Sequence, residues 1–166
     1  MRLVGIIAAL LVAASAYAGD AVPTKPAPSK TAAPPSTDKQ LKPYTGRLVV
    51  SPDAPPTQFD EFPKYLKANA MADNSYDVLK GPPWQFHLVA VLAKDPGTKP
   101  ITLVFADKDD KKLTTMHSVE VRAQKKIVTA SSEATVAAGF AADKTYVVRL
   151  MQGKTVLAKA QLHLRY

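Results

Sequence analysis

Apolar and polar residues alternate along the chain from Arg47 to the C-terminus, and this is the period of a β-strand. The last segment shows it most clearly, because one face carries Val156, Ala158, Ala160, Leu162, Leu164 and Tyr166, and the other carries Leu157, Lys159, Gln161, His163 and Arg165. Residues 146–151 alternate in the same way, and the glycine-containing turn 152–154 separates the two segments. The pattern predicts an antiparallel hairpin with one face buried.

Further upstream, the same period predicts a long strand over residues 84–92, which the turn residues 95–97 end. Shorter segments with this period are 47–50, 101–106, 113–116, 119–122, 127–130 and 133–136. Because the last two are short, we expect seven or eight strands in total. Strands of this length between regular turns predict an all-β fold, an antiparallel β-sandwich.

One segment interrupts the pattern. Residues 51–83 contain six prolines and read as a long insertion, with a short helix predicted from Pro63 to about residue 72. Its aromatic residues, together with the residue that follows it, give three candidate contact residues for a partner: Tyr65, Tyr76 and Trp84. The alternative is that these rings fasten the insertion to the sandwich.

The N-terminus has the pattern of a secretory signal peptide over residues 1–18. Arg2 precedes an apolar run, and Ala16 and Ala18 fit the small-residue rule for cleavage before Gly19. The alternative, a transmembrane anchor, needs about 20 apolar residues, and this run has about a dozen. No second apolar run follows. We therefore expect a periplasmic or secreted protein without a transmembrane segment in the mature chain.

Residues 19–45 differ in composition from the rest, with six prolines among Ala, Lys, Ser and Thr. Such a stretch has too few apolar residues to offset the entropy of ordering, so we predict a disordered, semi-extended tether. Proline-rich segments can also act as docking ligands. The folded domain is expected to span residues 46–166.

The residues at the start of the last hairpin resemble a known fold. The run from Asp143 to Leu150, followed by a glycine turn and a long last strand, is similar to the E–F corner and F–G hairpin of immunoglobulin-like or fibronectin type III-like domains. The resemblance covers residues 139–166. It implies that Asp143 and Tyr146 form the structural corner, with the Tyr146 hydroxyl bonded to backbone upstream, and it implies nothing about function.

Candidate chemistry is sparse. The chain has no cysteine, which excludes disulfides, lipid attachment at cysteine and thiolate metal sites. Histidine and methionine are the ligands that a thiol-free copper site uses, and the residues available are Met71, Met116, His117 and Met151, with His87 and His163 on other predicted strands. No local spacing groups them, so we expect no metal site and no cofactor.

No catalytic constellation is recognisable either. The sequence has no Gly-x-Ser-x-Gly motif, and the acidic turn 107–110 lacks the glycine and distal glutamate of a calcium loop. The net charge of +8 is spread along the chain without a run of more than two basic residues, which favours solubility over nucleic-acid binding. We predict that the protein is not an enzyme and has no catalytic residues.

The function expected from these features is that of an exported binding or structural module of the bacterial cell envelope. The expected partner is an envelope protein, with a glycan as another candidate and no nucleic acid. The insertion 51–83 or a sheet edge is the expected contact surface. Two alternatives stay open: an accessory or inhibitor protein of a secreted enzyme, and a periplasmic copper-binding protein.

Overall fold

Two β-sheets form the framework of the chain that the computed structural model describes, residues 36–166. The strands are β1 (Leu48–Ser51), β2 (Ser75–Val78), β3 (Trp84–Val91), β4 (Ile101–Asp107), β5 (His117–Val121), β6 (Ala123–Gln124), β7 (Ile127–Ala134), β8 (Lys144–Gln152) and β9 (Thr155–Leu164). The α-helices are α1 (Thr37–Leu41) and α2 (Phe62–Asn69). Short 3-10 helices cover Lys42–Tyr44, Phe59–Glu61 and Val136–Ala138.

Two predictions concern residues outside this range. The predicted signal peptide, residues 1–18, and residues 19–35 of the predicted tether lie outside the described residues. Among residues 36–166, no helix is long and apolar enough to cross a bilayer.

The strands are arranged as a sandwich. One sheet has the order β1-β3-β7-β6 and the other has the order β2-β9-β8-β4-β5. All pairs are antiparallel except β2 and β9, which run parallel with Tyr76 beside Leu162. The predicted all-β sandwich is confirmed. The count of nine described strands exceeds the expected seven or eight, because β2 lies inside the insertion and β6 has only two residues.

Two stretches of the sheets differ from the predicted strands. Residues 127–136 were expected to hold two strands, whereas β7 is one continuous strand that ends at Ala134. Residues 113–116 form a loop and not a strand, since the Asp110 carboxylate accepts hydrogen bonds from the backbone N–H groups of Lys112 and Thr114. Leu113 in this loop has a φ of 47°, which a strand does not allow.

Alternate residues of the long strands fill the core, as the period-two pattern requires. The largest fully buried side chains include Trp84, Phe86, Phe105, Phe140, Tyr146, Leu150 and Leu162. Phe105 joins the two sheets, because its ring lies 6.3 Å from that of Phe86 and 5.5 Å from that of Phe140, both in edge-to-face geometry. Such aromatic pairs stabilise a core by about 0.5–1.5 kcal/mol beyond their buried area.

The corner before β8 has the geometry that the resemblance implies. The Tyr146 hydroxyl accepts a hydrogen bond from the backbone N–H of Ala141 at 2.8 Å, and the ring packs against Phe140 at 4.9 Å. Asp143 has a left-handed φ of 57°, and its N–H donates to the Leu164 carbonyl at 2.7 Å. Asp143 and Tyr146 therefore form the corner of an immunoglobulin-like sandwich.

The insertion is more ordered than its proline content suggests. Helix α2 begins at Phe62 with Pro63 in its first turn, as predicted, but it ends at Asn69 and not near residue 72. Leu66 on this helix is fully buried. After the helix, β2 extends the five-stranded sheet by a parallel strand, which the sequence analysis treats as loop.

The last part of the predicted tether is also ordered. Residues 36–45 fold into α1 and the following 3-10 helix, and Leu41 in α1 is 3% exposed. Leu41 is the one large aliphatic residue in this stretch, and burying it offsets part of the cost of ordering about ten residues. This part of the segment therefore belongs to the folded domain.

The Tyr146 corner gives a stability prediction. Replacing Tyr146 by Phe removes the acceptor for the Ala141 N–H and keeps the ring in place. We expect the free energy of unfolding to fall by about 1–2 kcal/mol, because a buried N–H loses its partner. Urea unfolding followed by tryptophan fluorescence measures the change. Tyr166→Phe is the matched control, since Tyr166 is 79% exposed; an equal loss in both variants would contradict the role of the corner.

Candidate functional site

The aromatic residues predicted as contact residues do not form an exposed surface. Trp84 is fully buried, and its indole N–H donates to the backbone carbonyl of Arg165 at 2.6 Å. Tyr76 is 4% exposed, and its hydroxyl accepts a hydrogen bond from the backbone N–H of Met71 at 3.3 Å. Tyr65 is half-buried, and its hydroxyl donates to a backbone carbonyl 2.9 Å away. These rings fasten the insertion, so Tyr76 and Trp84 are not available to a partner.

Two histidines connect neighbouring strands by hydrogen bonds. The His163 Nε2 atom lies 2.7 Å from the Ser75 hydroxyl oxygen, and its Nδ1 atom lies 2.7 Å from that of Thr145. In the other sheet, the His87 Nδ1 atom on β3 lies 2.8 Å from the hydroxyl oxygen of Ser131 on β7. Neither histidine has a carboxylate partner in the described part of the chain. We interpret both as strand-to-strand contacts.

The candidate copper ligands do not converge. They are Met71, Met116, His117 and Met151. The His117 ring packs against the rings of Phe105 and Phe140, at 5.9 and 6.1 Å. Met71 precedes β2 and Met116 precedes β5, and these strands are the opposite edges of a five-stranded sheet, about 19 Å apart at the usual strand spacing. Within residues 36–166, no three His, Asp or Glu side chains are placed to hold a metal ion.

The outer face of the five-stranded sheet carries an open groove of about 710 Å³, here called the sheet-face groove. Its floor is formed by outward-facing residues of β8 and β9: Val147, Arg149, Leu157, Lys159 and Gln161. Asp73 and Asn74, which precede β2, form one wall, and Leu113 forms the other. A sheet face between two loops is a frequent place for binding, because the sheet holds the floor rigid.

Backbone contacts fix the first wall. The Arg47 guanidinium donates hydrogen bonds to the carbonyl groups of Met71 and Ala72, and the Asn74 side-chain amide donates to the carbonyl of Lys159. Arg47 also forms a parallel bridge beside Lys159. The turn before β2 is therefore held against the edge of β9.

The second wall is the loop that replaces the predicted strand at residues 113–116. Asp110 closes this loop by accepting the backbone N–H groups of Lys112 and Thr114, at 2.9 and 2.7 Å. The Arg149 guanidinium holds it onto the sheet, because Nη2 donates to the Leu113 carbonyl at 2.8 Å. Leu113 is thereby placed over the sheet and borders the groove.

The floor of the groove is positively charged. Arg149 and Lys159 are directly opposite each other in the β8–β9 register, which brings their Cβ atoms within about 5 Å. Lys108 adds a third cation, whose ammonium donates to the Gln161 side chain at 2.8 Å. Asp73 is the one acidic residue among the described lining residues, and its carboxylate already accepts the Ser75 N–H. Like charges directly opposite each other destabilise a sheet, so this arrangement has a cost in the free protein.

Carboxylates near the groove are already paired. Lys144 donates to Asp107 at 2.8 Å, and this hydrogen bond holds the pKa of Asp107 below its ordinary value. Arg165 pairs with Asp77 at 2.8 Å. Hydrogen bonds from Thr114 lower the pKa of Asp110, which keeps that carboxylate ionised within its own loop. In the described chain, no carboxylate forms an ion pair with Arg149 or Lys159.

Arg149 also borders a second depression on the same sheet face. This depression has a volume of about 450 Å³, and Thr102, Thr115 and Ser118 are among the residues that line it. The Arg149 Nε atom is buried without a hydrogen-bond partner among the described residues.

The arrangement suits the binding of an anion better than acid–base catalysis, because its ionisable floor residues are cations that a sheet holds in register. The alternation of residues along single strands does not predict this site. Arg149 and Lys159 are both visible as polar positions of alternating strands, but only the register of the hairpin shows that they lie side by side.

Comparisons with known proteins concern the fold alone. No protein-family model matches the chain, and no curated protein sequence matches it. A solved structure to which the chain is similar is that of an immunoglobulin-like protein from Pseudomonas aeruginosa, with 15% sequence identity and a TM-score of 0.33, over 54% of this chain and 77% of that chain. At this TM-score the match adds nothing about function. The immunoglobulin-like character of the chain lies in its two sheets and the Tyr146 corner.

The buried aromatic residues give a prediction about stability. Replacing Trp84 or Tyr76 by Ala leaves a cavity in the core, and we expect each change to lower the free energy of unfolding by about 3–5 kcal/mol. Tyr65→Ala, at a half-buried position, should cost about 1–2 kcal/mol. Urea unfolding measures all three. Wild-type stability in the Trp84 variant would show that this ring lies outside the core in solution.

Burial of tyrosine also predicts a loss of stability in alkaline solution. Burial raises the pKa of Tyr76 above its ordinary value of 10.0, and it has the same effect on Tyr65. Below about pH 9 both the folded and the unfolded chain keep the hydroxyls protonated, so tyrosine ionisation does not lower the free energy of unfolding. As the pH rises above that value, the unfolded chain ionises first, and the free energy of unfolding falls.

Tyr76→Phe tests this expectation, because the variant lacks one of the two ionising groups. We expect its urea midpoint to be lower than that of the wild type at pH 8, and to fall less steeply between about pH 9 and pH 11. Tyr166→Phe serves as the control and should follow the wild-type curve. Parallel curves for wild type and Tyr76→Phe would contradict a raised pKa at Tyr76.

Proposed function

We propose that the protein is an exported, non-enzymatic binding module of the bacterial cell envelope and that it contacts a partner protein through the sheet-face groove. The single observation that carries the proposal is the cross-strand pair of Arg149 and Lys159, two cations without a carboxylate partner in the described chain. A sheet that keeps such a pair gives up stability, and proteins commonly do so where they bind a ligand.

The burial of Tyr76 and Trp84 supports a contact surface other than the aromatic residues of the insertion. The rings of Tyr76 and Trp84 pack inside the domain, so the insertion contributes a wall of the groove through the turn before β2 and not an aromatic contact surface. In the floor of the groove, the aliphatic residues Val147 and Leu157 lie beside the cations Arg149 and Lys159. Arginine is enriched in protein interfaces.

Export is part of the proposal and is supported by the signal-peptide pattern of residues 1–18. The absence of cysteine is compatible with an oxidising compartment, in which free thiols are liable to react. An accessory or inhibitor role towards a secreted enzyme would use the same surface, and the identity of the partner distinguishes the two.

Site-specific photo-crosslinking in living cells tests the proposed surface. A photo-reactive phenylalanine analogue is placed at Val156, which borders the groove and is 46% exposed. The control position is Thr129, which is exposed on β7 in the other sheet. We expect irradiation to join a defined protein to the Val156 form and not to the Thr129 form, in the envelope fraction and on a chain that begins at Gly19.

Two results would contradict the proposal. Identical products from both positions would mean that the groove has no particular role. A full-length chain in the cytoplasmic fraction would exclude export and with it an envelope partner.

A further inference from the structure

We propose that Arg149 and Lys159 form an anion-binding site for a carboxylate of an extended, acidic segment in the partner protein. The inference rests on the proposed function, because it assigns the chemistry of the partner to the same groove. It goes further by naming the ligand group and the residues that hold it.

Arg149 and Lys159 form a pair of cations on the floor of the groove. Since Arg149 and Lys159 face each other across β8 and β9, both charged groups extend from one row of the sheet into the groove. Lys108 approaches the same floor through its hydrogen bond to Gln161. A ligand above this row meets two cations, while Lys108 lies beside Gln161 and Asp73 stands at the wall formed by the turn before β2.

The Arg149 guanidinium uses only part of its hydrogen-bonding capacity within the described chain. Nη2 is used by the Leu113 carbonyl, while Nε is buried out of reach of a ligand in the groove and has no partner in the described chain. Nη1 makes no hydrogen bond to the described residues either. The planar fork of an arginine matches a carboxylate or a phosphate in shape, and such charge-assisted pairs are among the strongest hydrogen bonds in proteins. The neutral Leu113 carbonyl fixes the guanidinium without neutralising it.

The described acidic side chains do not form ion pairs with these two cations. Asp107 and Asp77 are held by Lys144 and Arg165. Asp110 is held in its loop by backbone N–H groups. Glu120 on β5 lies opposite Thr102, with β4 between it and the row that contains Arg149. Since no described carboxylate forms an ion pair with Arg149 or Lys159, an anion bound there would come from a ligand.

The residues beside the two cations indicate which kind of ligand fits the groove. In both floor strands an aliphatic residue lies two positions from the cation: Val147 beside Arg149, and Leu157 beside Lys159. Alternate residues of an extended peptide lie on one face about 7 Å apart, so a segment whose every second residue is acidic and aliphatic in turn matches this spacing. The described lining residues include no aromatic ring, on which sugar rings or bases would stack. An acidic peptide therefore fits better than a glycan or a nucleic acid.

Fluorescence anisotropy with a synthetic peptide tests the inference on the mature chain, residues 19–166. The probe is a labelled nine-residue peptide whose odd positions carry Glu and Val in turn and whose even positions carry Ser, and the matched probe replaces every Glu by Gln. At low ionic strength we expect the Glu peptide to bind at least about tenfold more tightly than the Gln peptide. Polygalacturonate, inorganic phosphate and vesicles of an anionic phospholipid are tested beside it as other sources of negative charge.

The variants identify the residues. Arg149→Met and Lys159→Met should each weaken binding of the Glu peptide by about tenfold or more. Arg149→Lys should give an intermediate loss, because the charge remains and the fork does not. Lys64→Met is the control with the same change of charge, on the exposed surface of α2, and should bind like the wild type. Because the Lys159 side chain is exposed, Lys159→Met keeps the test valid if Arg149→Met unfolds.

The outcomes separate the inference from the proposed function. Equal binding of the Glu and Gln peptides, an equal loss in Lys64→Met, or tighter binding of polygalacturonate or vesicles than of the Glu peptide would overturn the inference. Crosslinking of a partner from Val156 that persists in Lys159→Met and Arg149→Met would overturn it while leaving the proposed function intact. Peptide binding that depends on Arg149 and Lys159, without any crosslinked partner in cells, would support the anion site and contradict the proposed function.

Discussion

The register of the β8–β9 hairpin is the constraint on which the rest of the structure depends. Gly153 and Lys154 form a two-residue turn, and the strands pair from Gln152 and Thr155 outward. A tight turn of this kind would place Arg149 opposite Ala158 and so bring a polar position against the core face of the partner strand. The hairpin avoids this conflict by an irregularity next to Leu150, which shifts the pairing by one residue and places Arg149 opposite Lys159.

This shift allows both strands to bury their apolar faces together. Tyr146, Val148 and Leu150 then point into the core with Ala158 and Leu162. The same shift places the cations on the outer face, so the core packing and the sheet-face groove are consequences of one irregularity. The strand β9 is also the strand on which β2 docks, and through it the insertion closes one side of the groove.

Much of the fold follows from the sequence, and particular residues show why. The alternation of Tyr146, Val148 and Leu150 with polar residues is sufficient to predict a buried strand, and the turn at Gly153 is sufficient to predict a hairpin. The Tyr146 corner could be predicted from the sequence because it depends on a few neighbouring residues. These features are local, and local patterns are what a single sequence displays.

The features that were missed depend on distant parts of the chain. The strand β2 has only four residues in a proline-rich segment, and it is stabilised by pairing with residues 161–164, far along the chain. The burial of Trp84 depends in the same way on the carbonyl of Arg165. The candidate site could not be predicted because it requires the one-residue shift in the hairpin, the loop around Leu113 and the turn before β2 to be known together.

The electrostatic arrangement of the outer face points to selection for something other than stability. Two exposed cations next to the sheet have carboxylate partners, because Lys144 pairs with Asp107 and Arg165 pairs with Asp77. An acidic residue at the position of Lys159 would pair with Arg149 across the strands and convert a repulsive contact into an attractive one. The sheet instead keeps two cations in register, with an arginine whose Nε has no partner. Repulsion between these two cations lowers the stability of the free protein. An anion-binding surface carries such a cost, because the negative charge that balances the two cations belongs to another molecule.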